Sequence, residues 1–179
     1  MDFDIRVANP IIDDEDIENV VRALKEKRLS SGKYAEIFEK KFAEFIGVKH
    51  AVSMNSASSA LLVMLEAKKI GKDDEVITTP YTYAATANVI ILQGAKPVFV
   101  DIENESYNID PSKIEEKITI RTKAIMPIHY GGQSAEMEKI TKIAQNNGLL
   151  VFEDAAPAAG ATFQNKKVGG IGDACLLYT

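Results

Sequence analysis

The stretch "DDEVITTPYTYAATANVIILQGAKPVFVDI", residues 73–102, decides the fold. "EVITT" reads as a short strand, "YAATANVIIL" as a longer helical stretch, and "KPVFV" as a second strand. The apolar residues of such strands run together instead of alternating with polar ones, which is the pattern of strands buried on both faces. Upstream, "HAVSM" (50–54) leads to a helix around "SALLVMLEAKK". Downstream, a helical "PSKIEEKI", a strand "KAIMPI", a helix "MEKITKIAQNN" and a strand "LLVF" continue the rhythm. A strand-helix-strand unit repeated this often predicts a three-layer α/β/α domain, with a mostly parallel central sheet covered by helices on both sides. In such a sheet, ligands bind beyond the carboxyl ends of the strands.

Two helical patterns precede this region. In "DDEDIENVVRALKEKR" (13–28), Ile17, Val20, Val21 and Leu24 fall on one face, with acids in the first turn and bases in the last. "YAEIFEKKFAEFIG" (34–47) repeats the pattern through Phe38, Phe42 and Phe45, and Gly47 supplies a stop. The 179 residues, 46% of them hydrophobic, are enough for one sizeable core.

Charge and cysteine usage remove several function classes. The 21 basic and 26 acidic side chains give a net charge of -5 without a long run of one sign, so nothing points to nucleic acid or an anionic membrane surface. Cys175 is the single cysteine, which rules out an internal disulfide framework and a Cys-rich metal site and suits the cytoplasm. "MDFDIRVANP" lacks the basic and apolar regions of a leader, and no window approaches the roughly 18 apolar residues that a membrane span needs.

Three strand ends carry candidate chemistry. In "SMNSASSALL" (53–62), Ser56 and Ser58 stand where a strand passes into a helix. There they either cap the helix or leave backbone N–H groups facing an anion. The sequence has neither a dinucleotide-binding nor a P-loop signature. In "TTPYTYAATAN" (78–88), Tyr81 and Tyr83 either lay a ring over a flat ligand or fill a gap between helix and sheet. In "LLVFEDAAPAAGA" (149–161), Glu153 and Asp154 are adjacent on a strand and therefore point to opposite faces. One of the two acids is then functional and the other structural. A strand-end carboxylate serves as metal ligand, phosphoryl acceptor, base or partner to a cation, or as a helix cap or salt bridge. His129 reads as a hydrogen-bonded packing residue, and with only His50 as company it makes no zinc site. Cys175 reads as a buried small hydrophobe.

Taken in order, four segments resemble the DegT/StrS sugar aminotransferases, a pyridoxal 5'-phosphate family of the aspartate-aminotransferase-like fold (fold type I). They are "LSSGKYAEIFEKKFAEFIGVKHAVSMNSASSAL" (29–61), the opening stretch, "RTKAIMPIHYGGQSAEM" (121–137) and "FEDAAPAAGATFQNKKVGGIGDA" (152–174). The resemblance implies that Ser56, Ala57 and Ser58 form the phosphate-binding turn, that Tyr83 stacks on the pyridine ring and that Asp154 pairs with the ring nitrogen. A carboxylate there favours the protonated ring, the better electron sink. Ala57 replaces the family's usual glycine, which requires a backbone that tolerates a Cβ. Pro157 stands where many members have a glutamine.

The resemblance also implies a Schiff-base lysine a few residues beyond "GDA". Here "GDACLLYT" ends at Thr179 with no lysine following. The expectation is an N-terminal helical segment (1–48) and an incomplete cofactor-binding large domain (49–179), read as one domain and inactive alone. Its apolar terminal segment would favour self-association. The activity implied is transfer of an amino group from glutamate or glutamine to a keto group of a nucleotide-linked sugar, for surface or cell-wall polysaccharide, by a cytoplasmic homodimer. Two alternatives stay open: a dehydratase of the same family, and a non-catalytic binding or assembly module. A phosphoryl-transfer site built on the acid pair is disfavoured, because no partner acid or lysine stands at a neighbouring strand end.

Overall fold

The structure, a computed structural model, describes residues 10–27 and 30–178. The leader reading of residues 1–9, Arg28 at the end of the first helical pattern and Thr179 lie outside the described residues. Helices α1 (Asp14–Lys25), α2 (Lys33–Ile46) and α3 (Ala57–Ala67) come first. The chain then alternates through β1 (Glu75–Thr78), α4 (Ala84–Leu92), β2 (Lys96–Phe99), β3 (Thr122–Ile125), α5 (Met137–Asn147) and β4 (Leu150–Asp154). A two-stranded hairpin, β5 (Thr162–Phe163) and β6 (Lys166–Lys167), precedes β7 (Ala174–Leu176).

The main sheet runs β2-β1-β3-β4-β7 and every pair in it is parallel. The strand order turns at β1, since β2 lies on one side of it and β3 on the other. That reversal opens a crevice at the carboxyl ends of the strands.

The period of two along each strand sorts side chains into two cores. Val76, Ala124, Met126 and Phe152 face α3 and α4, where Leu61, Leu65, Val89 and Ile90 meet them. Ile77, Ile125 and Val151 face the other way, against Met137, Ile140 and Ala144 of α5. The three-layer α/β/α architecture expected from the sequence is therefore present. Following the same parity to the end of β4, Asp154 belongs to the face of Phe152 and Glu153 to the face of Val151.

Two local readings are corrected. "HAVSM" (50–54) is not a strand. A strand exists only by pairing, and a cavity of about 480 Å³ between this segment and the β7 region leaves it without a neighbour. Val52 is accordingly exposed. "PSKIEEKI" forms two 3₁₀ turns, Pro111–Lys113 and Glu115–Lys117, in place of a helix. Asp110 caps the first turn through the Ser112 N–H at 2.9 Å, Ile114 is pinned in the core, and Ile118 is already extended. The piece is too short to nucleate a longer helix.

The two amphipathic helices form as expected, and Gly47 ends the second in a left-handed conformation. Asp13 and Asp16 cap α1 reciprocally, yet none of its residues is buried, and Ile17, Val20, Val21 and Leu24 are all exposed. In α2, Ala43 and Ile46 are the buried residues, while Phe38 and Phe45 stay about half exposed. No helix among the described residues is long and apolar enough to cross a membrane.

Candidate active site

The carboxyl ends of β1, β3 and β4 and the start of α3 surround a cleft of about 950 Å³. Ser56, Ala57, Ser58, Tyr83 and Asp154 all line it. The three segments singled out in the sequence therefore meet at one place, although the first of them follows no strand.

Helix α3 begins at this cleft. Ser56 is its N-cap: the hydroxyl accepts the Ser59 N–H at 3.1 Å and lies 2.9 Å from the Ser59 hydroxyl. A helix leaves its first N–H groups without partners inside the helix. With the Ser56 hydroxyl taken up by the Ser59 N–H, the main-chain N–H groups of Ala57 and Ser58 stand at the positive end of the helix dipole, a setting that suits a phosphate. The capping reading of Ser56 is seen directly, and it is compatible with an anion site, because capping uses the side chain and leaves the backbone of the first turn. Ala57 begins the helix and is absent from the residues with positive φ, so its Cβ is tolerated where the family has glycine.

Tyr83 is the N-cap residue of α4 and is 83% exposed. That exposure excludes the gap-filling alternative, and Tyr83 lines the cleft. One turn further on, Thr86 is fully buried, and its hydroxyl donates to Asp154 Oδ2 at 2.8 Å. The Ala156 N–H donates to Oδ1 at 3.3 Å. The main chain of Asp154 is held from both sides. Its N–H donates to the Pro127 carbonyl (2.9 Å), the His129 N–H donates to its carbonyl (3.0 Å), and the next N–H, of Ala155, reaches Leu176 (2.9 Å).

Among the described residues three carboxylates are buried, Glu75, Glu153 and Asp154, and their surroundings differ. Glu75, at the opposite end of the sheet, accepts from Thr119 at 2.6 Å and Arg121 at 2.7 Å, with Lys96 at 3.5 Å. The Thr119 hydrogen bond, followed by the arginine, holds its carboxyl below the ordinary range against the effect of burial. Glu153 takes four donors: His129 Nε2 (3.0 Å) and the N–H groups of Gly169 (2.8 Å), Ile171 (2.9 Å) and Gly172 (2.7 Å). His129 Nδ1 accepts the Ala135 N–H at 3.0 Å, so the proton of the neutral ring sits on Nε2 and points at Glu153. Burial pushes the Glu153 carboxyl up, but these hydrogen bonds outweigh it and the net shift is downward.

The glycines of the 169–172 turn make that enclosure possible. A Cβ on Gly172 would stand 2.6 Å from the Val151 carbonyl, and Gly169 has φ +90.

Asp154 goes the other way. Burial raises its carboxyl above the ordinary aspartate value, and the Thr86 and Ala156 hydrogen bonds only partly offset this. Among the described residues no lysine or arginine lines the cleft beside it. It is a buried anion turned toward a cavity without a positive partner, a setting that favours a bound cation.

The remaining candidates fall out as packing. Cys175 is half-buried, and burial raises its thiol far above the ordinary value, so it is no nucleophile. Of the small residues after Asp154, Ala155 and Ala158 pack against Val168, and only Ala156 and Pro157 face the cleft. Pro157 brings no side-chain hydrogen-bond donor. The sequence reading missed Thr86, whose signal was a lone hydroxyl in the mostly apolar "AATANVIIL". It also missed that Tyr81 joins Tyr130, whose hydroxyl donates to that of Tyr81 at 3.0 Å.

A parallel α/β sheet flanked by helices, with a helix start, an exposed tyrosine and a buried acid around a cleft at its strand ends, has the architecture of an aspartate-aminotransferase-like cofactor domain. Within that class the chain belongs to the DegT/DnrJ/EryC1/StrS aminotransferase family, whose sequence pattern matches residues 10–177. It is 51% identical over 165 residues to the spore coat polysaccharide biosynthesis protein SpsC of Bacillus subtilis, covering 92% of this chain and 42% of that protein. It is 45% identical over 176 residues to the GDP-perosamine synthase of Caulobacter vibrioides, covering 98% and 47%. Among solved structures, PseC of Helicobacter pylori, an aminotransferase in pseudaminic acid biosynthesis, superimposes with a TM-score of 0.90 at 40% identity. That match covers 94% of this chain and 46% of PseC. The chain spans less than half the length of each of these relatives.

The family's enzymes depend on pyridoxal phosphate. The residues present fit that group: helix N–H groups for its phosphate, an exposed ring for its face, and a buried acid without a cation for its ring nitrogen.

Proposed function

We propose that this chain is the cofactor-holding part of a pyridoxal-phosphate aminotransferase that aminates a keto group on a nucleotide-linked sugar. The amino donor is glutamate or glutamine, the route leads to surface or cell-wall polysaccharide, and the whole enzyme works as a cytoplasmic homodimer. The observation that carries the reading is Asp154, the one buried carboxylate among the described residues whose carboxyl is raised on balance and which opens on the cleft.

When bound, pyridoxal phosphate supplies an electron-withdrawing ring on which an amino group is carried between substrates. The chain's own residues bind and orient it. The N–H groups of Ala57 and Ser58 take the phosphate, with Ser56 fixing the helix start. Tyr83 covers one face of the ring. Asp154 holds a proton at the ring nitrogen through charge, and Thr86 fixes the carboxylate rotamer from behind. Pro157 and Ala156 line the cleft beside Asp154 without adding a side-chain donor. No lysine lines the cleft among the described residues, so this chain alone holds the cofactor non-covalently and does not turn over.

An absorbance titration with pyridoxal phosphate, comparing the full chain with Asp154→Asn, tests the reading. Losing a charged hydrogen bond should weaken binding about 10- to 100-fold. Equal affinity and equal spectra would overturn the role given to Asp154.

A further inference from the structure

Beside the cofactor cleft, three tyrosines from separate parts of the chain are brought together. Tyr81 follows β1, Tyr130 follows β3, and Tyr107 comes from the loop between β2 and β3. The ring centroids of Tyr81 and Tyr130 are 4.6 Å apart, those of Tyr81 and Tyr107 5.7 Å, and those of Tyr107 and Tyr130 6.2 Å, with interplanar tilts of 47°, 35° and 54°. Such spacings are those of attractive aromatic pairs. Yet the three rings remain 43%, 48% and 37% exposed for Tyr81, Tyr107 and Tyr130. They form an open aromatic surface, and Tyr81 and Tyr130 also line the cleft.

The local structure holds this surface in place. Tyr107 has φ +58, a left-handed conformation that disfavours a bulky side chain. Among the described residues, the other non-glycine ones with positive φ are Lys27, Lys69, Asp73, Gln164 and Asn165, all of them polar. A half-exposed aromatic kept in a disfavoured backbone gains only part of what full burial would give, and such an outlier points to function.

The next residue, Asn108, is buried and acts as a strut. Its Oδ1 accepts the Tyr130 N–H at 2.8 Å and its Nδ2 donates to the Gln133 carbonyl at 3.1 Å. The loop that carries Tyr107 is thereby tied to the loop that carries Tyr130.

The geometry points to a stacking platform: Tyr81, Tyr107 and Tyr130 receive the purine or pyrimidine base of a nucleotide-linked substrate. This inference rests on the function proposed above. A nucleobase is a flat π ligand that stacks on tyrosine. The cleft, at about 950 Å³, stands at the upper end of the range for small-molecule sites. It therefore has room for a ligand that extends past the cofactor to its tyrosine rim. The lining has no lysine or arginine among the described residues, so these tyrosines hold the base and not the diphosphate.

The test uses the full chain without pyridoxal phosphate, titrated with GDP, UDP and dTDP, and with inorganic pyrophosphate as the probe lacking a base. Proton NMR of the nucleotide follows the upfield shifts that stacking imposes on base protons, and calorimetry gives the affinity. We expect saturable binding of at least one nucleotide with upfield base shifts and no comparable binding of pyrophosphate. Tyr81→Ala and Tyr130→Ala should each weaken nucleotide affinity about fivefold or more, whereas Tyr130→Phe keeps the ring and should stay within about twofold. Circular dichroism checks that the variants fold.

Pyrophosphate binding as tightly as the nucleotides would overturn the platform. So would alanine variants that keep nucleotide affinity and lose self-association, which would make the surface a contact between copies of this chain. Pyridoxal phosphate binding without nucleotide binding removes the platform and leaves the cofactor reading. Nucleotide binding without pyridoxal phosphate binding does the reverse.

Discussion

On one face of the end of β4, Glu153 is enclosed by four donors and fully buried. On the other face, one residue along, Asp154 has two donors and looks into an open cleft. The pleat of a single strand separates an acid that holds the fold from an acid available to a ligand. Their carboxyls shift in opposite directions although both are buried, so burial alone does not set the shift. The number and kind of donors around each decides.

The largest test of this contrast is Glu153→Ala. It strips the acceptor from His129 and from three N–H groups, and breaking such a buried network should cost about 3–5 kcal/mol of unfolding free energy, read by urea denaturation. Loss of less than about 1 kcal/mol would mean that the enclosure contributes little beyond an ordinary hydrogen bond. The same experiment has a pH signature. The folded-state pKa of Glu153 is lowered, so its contribution is present above the unfolded glutamate value and is lost as pH falls through the lower folded value. Asp154 has the opposite sign. Its raised carboxyl binds its proton more tightly in the folded chain, so its contribution weakens stability as pH rises from the unfolded aspartate value through the folded one. Glu153→Ala should therefore flatten the acid limb of a stability-against-pH curve, and Asp154→Asn should hold or raise stability at neutral pH.

Thr86→Val comes next. It removes the better of the two donors to Asp154 at nearly constant volume and should cost about 1.5–3 kcal/mol at pH 7, with less lost at acid pH where the carboxyl is protonated. A pH-independent loss would break the contrast, because it would make the threonine a packing residue. Ser56→Ala is the smallest, at about 1 kcal/mol for an N-cap, measured by thermal or urea unfolding. Pyridoxal phosphate affinity in that variant should fall by less than in Asp154→Asn, since the N–H groups of Ala57 and Ser58 are still supplied by the backbone.

Much of this was legible in the sequence because strands buried on both faces write unmixed apolar runs. Asp154 was legible because a carboxylate at the end of such a run is chemically out of place. What failed to show was whatever depends on a neighbour. Val52 and Met54 belong to a segment that reads as a strand, but no residue pattern states that a pairing partner stands beside it. The apolar stripe of α1 told correctly that a helix forms and which residues share a face, yet that face is uncovered among the described residues. The donors to Glu153 come from 16 to 24 residues away, and the tyrosine surface is assembled from three loops, so neither has a local signature.

The two-sided anchoring of the Asp154 main chain has a kinetic consequence. With its N–H, its carbonyl and the following N–H all fixed by neighbouring strands and loops, the carboxylate is in place before any ligand arrives. Little ordering remains to be done on binding. Ligands that differ only in the charge at the ring nitrogen should therefore enter at similar speed and separate by how long they stay.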